Sequence, residues 1–254
     1  MRRLVATGLG CVRGQRDIFH DVNFQLSAGE ALALTGPNGA GKSSLLRLIA
    51  GLLRAPSGRI ELDGGAADLT IPEQAHYQGH LDAFKPSLTV AENLVFWIHY
   101  LGSTAPPGAA LEALGIAGLA DLPAGYLSAG QRRRLSLARL VAVPRPIWLL
   151  DEPTSALDAA AQARLTELMR EHLAGGGMIV AATHGPLEIE CKTLQLGQSA
   201  PSPLAGEGWG GGAGSSSTAI TTPTPNPSPP SGRSRPSSTG DGGGERSGAR
   251  GTEA

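Results

Sequence analysis

Ala31-Leu-Ala-Leu-Thr35-Gly36-Pro37-Asn38-Gly39-Ala40-Gly41-Lys42-Ser43-Ser44 is the stretch on which the fold turns. The apolar run 31–35 ends in a glycine loop and reads as a buried strand. Leu45, Leu46, Leu48 and Ile49 then supply the apolar face of a helix over 41–50. Strand, loop and helix in that order are the context that the phosphate-loop pattern G-x-x-x-x-G-K-[ST] requires. Gly36, Gly39 and Gly41 let the backbone turn tightly, so that several N–H groups point at one anion. The helix adds its positive end. Lys42 places a point charge on the β- and γ-phosphates, and the Ser43 hydroxyl suits Mg²⁺. Residues Gly36, Pro37, Asn38, Gly39, Ala40, Gly41, Lys42, Ser43 and Ser44 are therefore the expected nucleotide-binding run. A glycine turn carrying a chance lysine is the bland alternative, and the flanking strand and helix weigh against it.

A second constellation lies downstream. Ile147-Trp-Leu-Leu-Asp151-Glu152-Pro is an apolar strand ending in two acids. Such a strand delivers its acids to the carboxyl edge of a sheet, where ligands sit in open α/β folds. Asp151 suits the Mg²⁺ shell, and Glu152 suits activation of an attacking water as general base.

Around these two motifs, 1–12 and 22–26 read as strands of an antiparallel edge layer, with short strands at 59–62 and 75–77. Thr89 precedes a helical stretch to Leu101, and further helices cover 128–141 and 158–173. Residues 178–182 form a last strand. Strands alternating with helices predict an α/β fold with a mostly parallel sheet.

The chain has 254 residues, 21 Lys+Arg and 22 Asp+Glu. A net charge of −1 offers no bulk attraction to nucleic acid, which argues against a nucleic-acid partner. Cys11 and Cys191 are too few for a disulfide framework or a structural zinc site, which fits a reducing compartment. No apolar run is long enough to span a bilayer or act as a secretion signal. Residues 199–254 hold 13 Gly, 8 Pro and 11 Ser, with few large apolar residues, and such a segment is expected to stay disordered. Its Pro201-Ser-Pro-Leu-Ala-Gly-Glu-Gly-Trp209 stretch resembles peptides translated from dispersed bacterial repeats, as a frameshift or read-through end would produce. The ordered domain is thus expected over 1–198.

Leu127-Ser128-Ala129-Gly130-Gln131 resembles the LSGGQ signature of ATP-binding cassette (ABC) proteins, with alanine for the first glycine. It begins 85 residues after Lys42 and 24 before Asp151. Ser155-Ala156-Leu157-Asp158 resembles the D-loop of the same family, and His184 falls where its switch histidine does. The resemblance implies a P-loop NTPase fold of the ABC ATPase type: a mostly parallel core, an N-terminal antiparallel β layer and an inserted helical subdomain at about 87–143. It also implies ATP and Mg²⁺ as ligands and a homodimer in which Ser128, Gly130 and Gln131 meet the nucleotide bound by the other copy.

Two departures from the family pattern stand out. Where its Q-loop glutamine is expected the sequence reads Tyr77-Gln78-Gly79-His80, and alignment gives that place to His80. An imidazole can still bond a water or meet Mg²⁺, with a charge that depends on pH. No aromatic lies at 11–16 to stack on adenine; Arg13 and Arg16 are planar cationic substitutes.

Cys11-Val-Arg13-Gly, and Tyr77-x-Gly79-His80-x-Asp82-x-x-Lys85-Pro-x-Leu88-Thr-Val-x-Glu92-Asn93-Leu94, in a cassette ending near 197, look like the ATP-binding subunits of cytochrome c biogenesis, the CcmA family. This resemblance implies a peripheral subunit on the cytoplasmic face of a bacterial inner membrane. Two copies would pair with an integral CcmB-like membrane subunit, with CcmC nearby. The work done would be haem export or release of a haem-loaded chaperone. Glu152, His184 and His80 are then the expected catalytic groups, and Ser43 and Asp151 the metal ligands.

In 90–101, Leu94, Trp97, Ile98 and Leu101 form one helical stripe, expected to pack inside the subdomain. Phe96 and Tyr100 lie on an adjacent face and are candidates for a groove that takes a cytoplasmic helix of the membrane subunit. Arg132-Arg-Arg134 reads as a solvated helix face. Rival readings are the ATPase of another ABC exporter, a soluble ABC ATPase of DNA repair or translation, and a P-loop kinase. The 85-residue spacing leaves no room for the coiled coil of the repair proteins. A single cassette is unlike the translation proteins, and the signature is unlike a kinase.

Overall fold

The computed structural model describes residues 1–197; residues 198–254, the glycine- and proline-rich segment included, lie outside the described residues. Strands β1 (Arg3–Arg13), β2 (Arg16–Ser27) and β4 (Arg59–Asp63) form an antiparallel sheet in the order β2-β1-β4. The second strand starts earlier than its apolar pattern suggested. A two-residue turn at Gly14-Gln15, both at positive φ, sends the chain straight back into pairing, Arg13 opposite Arg16.

The second sheet is fully parallel. It comprises β3 (Ala31–Thr35), β5 (Ala75–Gln78), β6 (Ile147–Asp151), β7 (Met178–Ala182) and β8 (Lys192–Gln195), in the order β5-β6-β7-β3-β8. Its central strands are buried on both faces, which is why they read as unbroken apolar runs.

The period of two divides their side chains between two cores. Leu32, Leu34, Ile147, Leu149, Met178 and Val180 pack toward α1 (Lys42–Ile49) and the antiparallel layer. Trp148, Leu150, Ile179 and Ala181 pack toward Leu165, Leu168 and Met169 of α5 (Ala159–Ala174) and toward the helical insertion.

That insertion contains α2 (Val90–Tyr100), α3 (Gly108–Ala113) and α4 (Ala129–Ala142). Thr89 and Glu92 close a capping box at the start of α2, and Asp158 caps α5 through the Ala161 amide. Val90, Leu94 and Ile98 carry the buried stripe of α2. Trp97 does not continue it. Its indole N–H donates to the Ala83 carbonyl at 2.8 Å and its ring packs edge-on against Phe96 and Tyr100, so it belongs to a surface aromatic cluster. The indole is half-buried, and its N–H finds its acceptor outside the core.

Candidate functional site

The phosphate loop spans the turn from β3 to α1. Gly41 occupies the N-cap of α1 at φ 99°, and no side chain caps the helix. The first-turn amides are therefore available to an anion. Gly36 sits at φ 128°, where a Cβ would lie 2.3 Å from the Leu196 carbonyl oxygen. Only glycine meets both demands. Lys42 is buried, and its ammonium donates to the Gly36 and Pro37 carbonyls at 2.8 and 3.2 Å. Its charge is held over the loop's own concavity.

The apolar strand β6 brings Asp151 alongside. The Ser43 hydroxyl donates to Asp151 Oδ1 at 3.0 Å. Among the described residues no cluster of three His, Cys, Asp or Glu side chains could hold a metal by itself. One hydroxyl and one carboxylate fit Mg²⁺, which binds through few protein ligands, several waters and substrate phosphates. They do not make a dedicated transition-metal site.

Glu152 is the next residue, and it has a left-handed backbone at φ 50°. Such a conformation in a non-glycine residue costs on the order of 1 kcal/mol and persists only where neighbours hold it. Here its N–H donates to the Ala182 carbonyl at 2.9 Å, and the Ser155 hydroxyl donates to its carbonyl at 2.8 Å. The result is a half-buried Glu152 carboxylate with Oε1 3.4 Å from His184 Nε2, just beyond the end of β7. His80 follows the end of β5. Arg13, Ile18, Asn38, Gly39, Gly41, Lys42, Ser43, Ser44, His80, Asp151, Glu152 and His184 line one open pocket of about 500 Å³. Ala40 is buried behind the loop. Of the two arginines considered as base contacts, Arg13 lines this pocket and Arg16 does not.

Gln78 lies elsewhere. Its side chain is wholly buried, exchanges hydrogen bonds with the Ser136 hydroxyl at 2.7 and 3.0 Å, and accepts from Arg139 at 2.8 Å. Burial, aided by the Arg133 charge, pushes the Arg139 guanidinium down to about 10.

Ser128, Gly130 and Gln131 do not line the pocket of their own chain. Ser128 is the N-cap of α4 in a reciprocal capping box with Gln131. Its Oγ accepts from the Gln131 amide, so its own proton remains free to donate outward.

The arginine run after the signature departs from the expected solvated face. Arg133 is 2 % exposed. The helical period turns it inward under the strand ends, where it donates to four oxygens. No sequence signal separated it from Arg132 and Arg134; only the packing of α4 against β5 and β6 does.

The ABC transporter family profile matches residues 19–155. The chain is 60 % identical over 199 residues to the "Cytochrome c biogenesis ATP-binding export protein CcmA" of Rhodopseudomonas palustris (strain BisB5), covering 78 % of this chain and 99 % of that protein. It is 58 % identical over 199 residues to the protein of the same name from Nitrobacter winogradskyi, covering 78 % and 100 %. The chain belongs to the ABC transporter family, in its CcmA branch. Among solved structures, a putative ABC transporter ATP-binding protein from Pyrococcus furiosus matches with a TM-score of 0.68 at 22 % identity, over 76 % of this chain and 97 % of that one. A bacterial Atm1-family ABC exporter with ATP bound matches with a TM-score of 0.66 at 26 % identity, over 77 % of this chain and 37 % of that one. The ABC fold thus extends through β8, beyond the last residue of the profile match.

Proposed function

We infer that this CcmA-branch ATPase is the ATP-hydrolysing subunit of a bacterial inner-membrane ABC complex that serves c-type cytochrome biogenesis. One observation carries the reading. Lys42, Ser43, His80, Asp151, Glu152 and His184 converge on a single pocket, in a chain 60 % identical to a protein named for that process.

Two copies close face to face around two nucleotides. Lys42 and the α1 amides hold the phosphates, and Ser43 with Asp151 would hold Mg²⁺, whose charge would offset that of the phosphates. The free hydroxyl proton of Ser128 and the amide of Gly130 from the opposite copy complete each site. Glu152 accepts the proton of the water that attacks the γ-phosphorus, releasing ADP and phosphate. His184 braces the carboxylate, and His80 lines the same pocket. The left-handed backbone at Glu152 fixes the base before substrate arrives, so catalysis is largely positioning.

No helix among the described residues is long and apolar enough to cross a membrane. In this reading the subunit works as a peripheral protein on the cytoplasmic face, against a CcmB-like integral partner with CcmC nearby. Phe96 and Tyr100 are 56 % and 71 % exposed and their rings stack at 6.1 Å. Tyr100 and Trp97 border an adjacent groove with Leu52, Pro72, Tyr77 and Arg145; Phe96 stacks on Tyr100 but does not line that groove. That groove takes a cytoplasmic helix of the membrane subunit.

The test is complementation. A strain deleted for the gene should lose haem-stained, covalently assembled c-type cytochromes. The wild-type gene should restore them and a Glu152→Gln gene should not. Normal haem staining in the deletion strain would overturn the assignment.

A further inference from the structure

Arg133 lies outside the nucleotide pocket, yet its guanidinium spans two segments that both enter it. Nη1 donates to the Gly79 carbonyl at 2.9 Å and to Asp82 Oδ1 at 3.4 Å. Gly79 and Asp82 flank His80. Nη2 donates to the Asp151 carbonyl at 2.9 Å and to the Glu152 carbonyl at 2.7 Å. These are the backbones of the metal-ligand acid and of the base. One planar fork therefore joins the loop carrying His80 to the strand end carrying Glu152, from a helix whose N-cap is Ser128.

Two features argue that this arrangement is more than packing. A buried cation is weak evidence for stability, because its desolvation offsets much of what its bonds contribute. The Nε–H of Arg133 also has no acceptor among the described residues, so the site is not optimised for hydrogen-bond count. What the fork holds is specific. The Glu152 carbonyl belongs to the residue at φ 50°, a conformation that reverts to ordinary backbone unless its peptide groups are tied. Ser155 ties that carbonyl from the following turn. Arg133 is the tie that reaches it from the helical insertion.

We propose that Arg133 is a positioning residue for hydrolysis, clamping the left-handed backbone of Glu152 to the His80 loop so that the base is in register only while that loop is seated. The inference rests on Glu152 being the general base. Arg133 does not line the nucleotide pocket, so its loss lowers turnover and leaves affinity intact. Lysine cannot replace it, because one ammonium does not present two parallel pairs of N–H groups to two segments.

The experiment uses the full chain with Arg133→Met, Arg133→Lys and Asp82→Asn. Turnover is measured per nucleotide-binding site, titrated with a fluorescent ATP analogue in the presence of Mg²⁺. Arg133→Met is expected to lower kcat about thirtyfold with Kd for Mg·ATP within threefold, and Arg133→Lys about tenfold. Asp82→Asn keeps the guanidinium and loosens only the loop side, so a drop of about threefold is expected. In a Glu152→Gln background, Arg133→Met should cause no further loss.

Turnover per site within twofold of wild type in Arg133→Met overturns the proposal. So does a fall in affinity that parallels the fall in kcat, or a full additional loss in the Glu152→Gln background. If Arg133→Met does not fold, Asp82→Asn decides: unchanged kcat overturns the clamp. Full turnover by Glu152→Gln alone would instead remove the assignment of the base, a result distinct from failure of the clamp.

Discussion

The two ends of the parallel sheet carry histidines in opposite circumstances. At the carboxyl end, His80 and His184 stand on loops just past β5 and β7, facing an open pocket with two acids. At the amino end, His76 on β5 is buried and its Nε2 lies 2.6 Å from the Val143 carbonyl. His172, near the end of α5, stacks on Trp148 with ring centroids 4.0 Å apart. Burial pushes His76 down to about 3 and His172 down to about 4, so both stay neutral at physiological pH. Position along a strand separates the imidazoles that face the pocket from those that fill space. Strand ends release the chain into loops whose polar groups face water, whereas strand starts sit beneath helix ends and turns.

The comparison breaks first at its reactive end. Glu152→Gln should reduce ATP turnover by about 10²- to 10⁴-fold, the usual range for a lost general base, while Mg·ATP binding persists. A phosphate-release assay beside a nucleotide-binding titration reads both. Lys42→Ala removes a buried charge from the phosphates and should weaken Mg·ATP binding by roughly 2–5 kcal/mol, at least about thirtyfold in Kd. Isothermal titration gives the value. Replacing Phe96 and Tyr100 by serine should release the subunit from membranes without altering ATP binding. Unchanged co-sedimentation with the membrane fraction would remove the groove assignment.

The quiet end is tested by acid. The folded chain holds His76 neutral down to about pH 3, whereas the unfolded chain protonates it near 6.5. The unfolded state thus binds more protons across that window. Stability is complete above it and is lost as pH falls from about 6.5 toward 3. By pH 5 the loss from His76 is on the order of 2 kcal/mol. His76→Gln, which keeps a donor for the Val143 carbonyl, should flatten the dependence of the thermal midpoint between pH 7 and pH 5. A slope unchanged by the substitution would show that other groups set it.

The phosphate loop and the acid pair were legible because their chemistry is local. Glycines at fixed spacing and an apolar run ending in Asp151-Glu152 announce themselves within about ten residues. The helix starts at Thr89, Ser128 and Asp158 were legible within a residue, and the structure makes each of the three an N-cap acting on amides of its own first turn. Arg133 was not. Its neighbours Gly79, Asp82, Asp151 and Glu152 lie up to 54 residues away, so its burial is a property of the tertiary packing. Trp97 misled for a related reason: helical spacing grouped it with Leu94 and Ile98, but its indole reaches the Ala83 carbonyl and joins Phe96 and Tyr100 instead. Strand β8, Lys192–Gln195, went unread because an edge strand half open to water carries little apolar signal. Helix α3 has only six residues, too few for a periodic pattern.

Strand β3, which launches the phosphate loop, pairs with β7 on one side and β8 on the other, and both are made more than 140 residues later. Leu196, just past β8, donates its N–H to the Thr35 carbonyl, and its own carbonyl lies against Gly36. On the ribosome, then, the segment translated early must wait for nearly the whole cassette before it is braced. A nascent chain halted before β8 would carry every motif named above yet lack the brace on Thr35 and Gly36, and one cut near residue 155, where the profile match ends, would lack β7 and His184 as well.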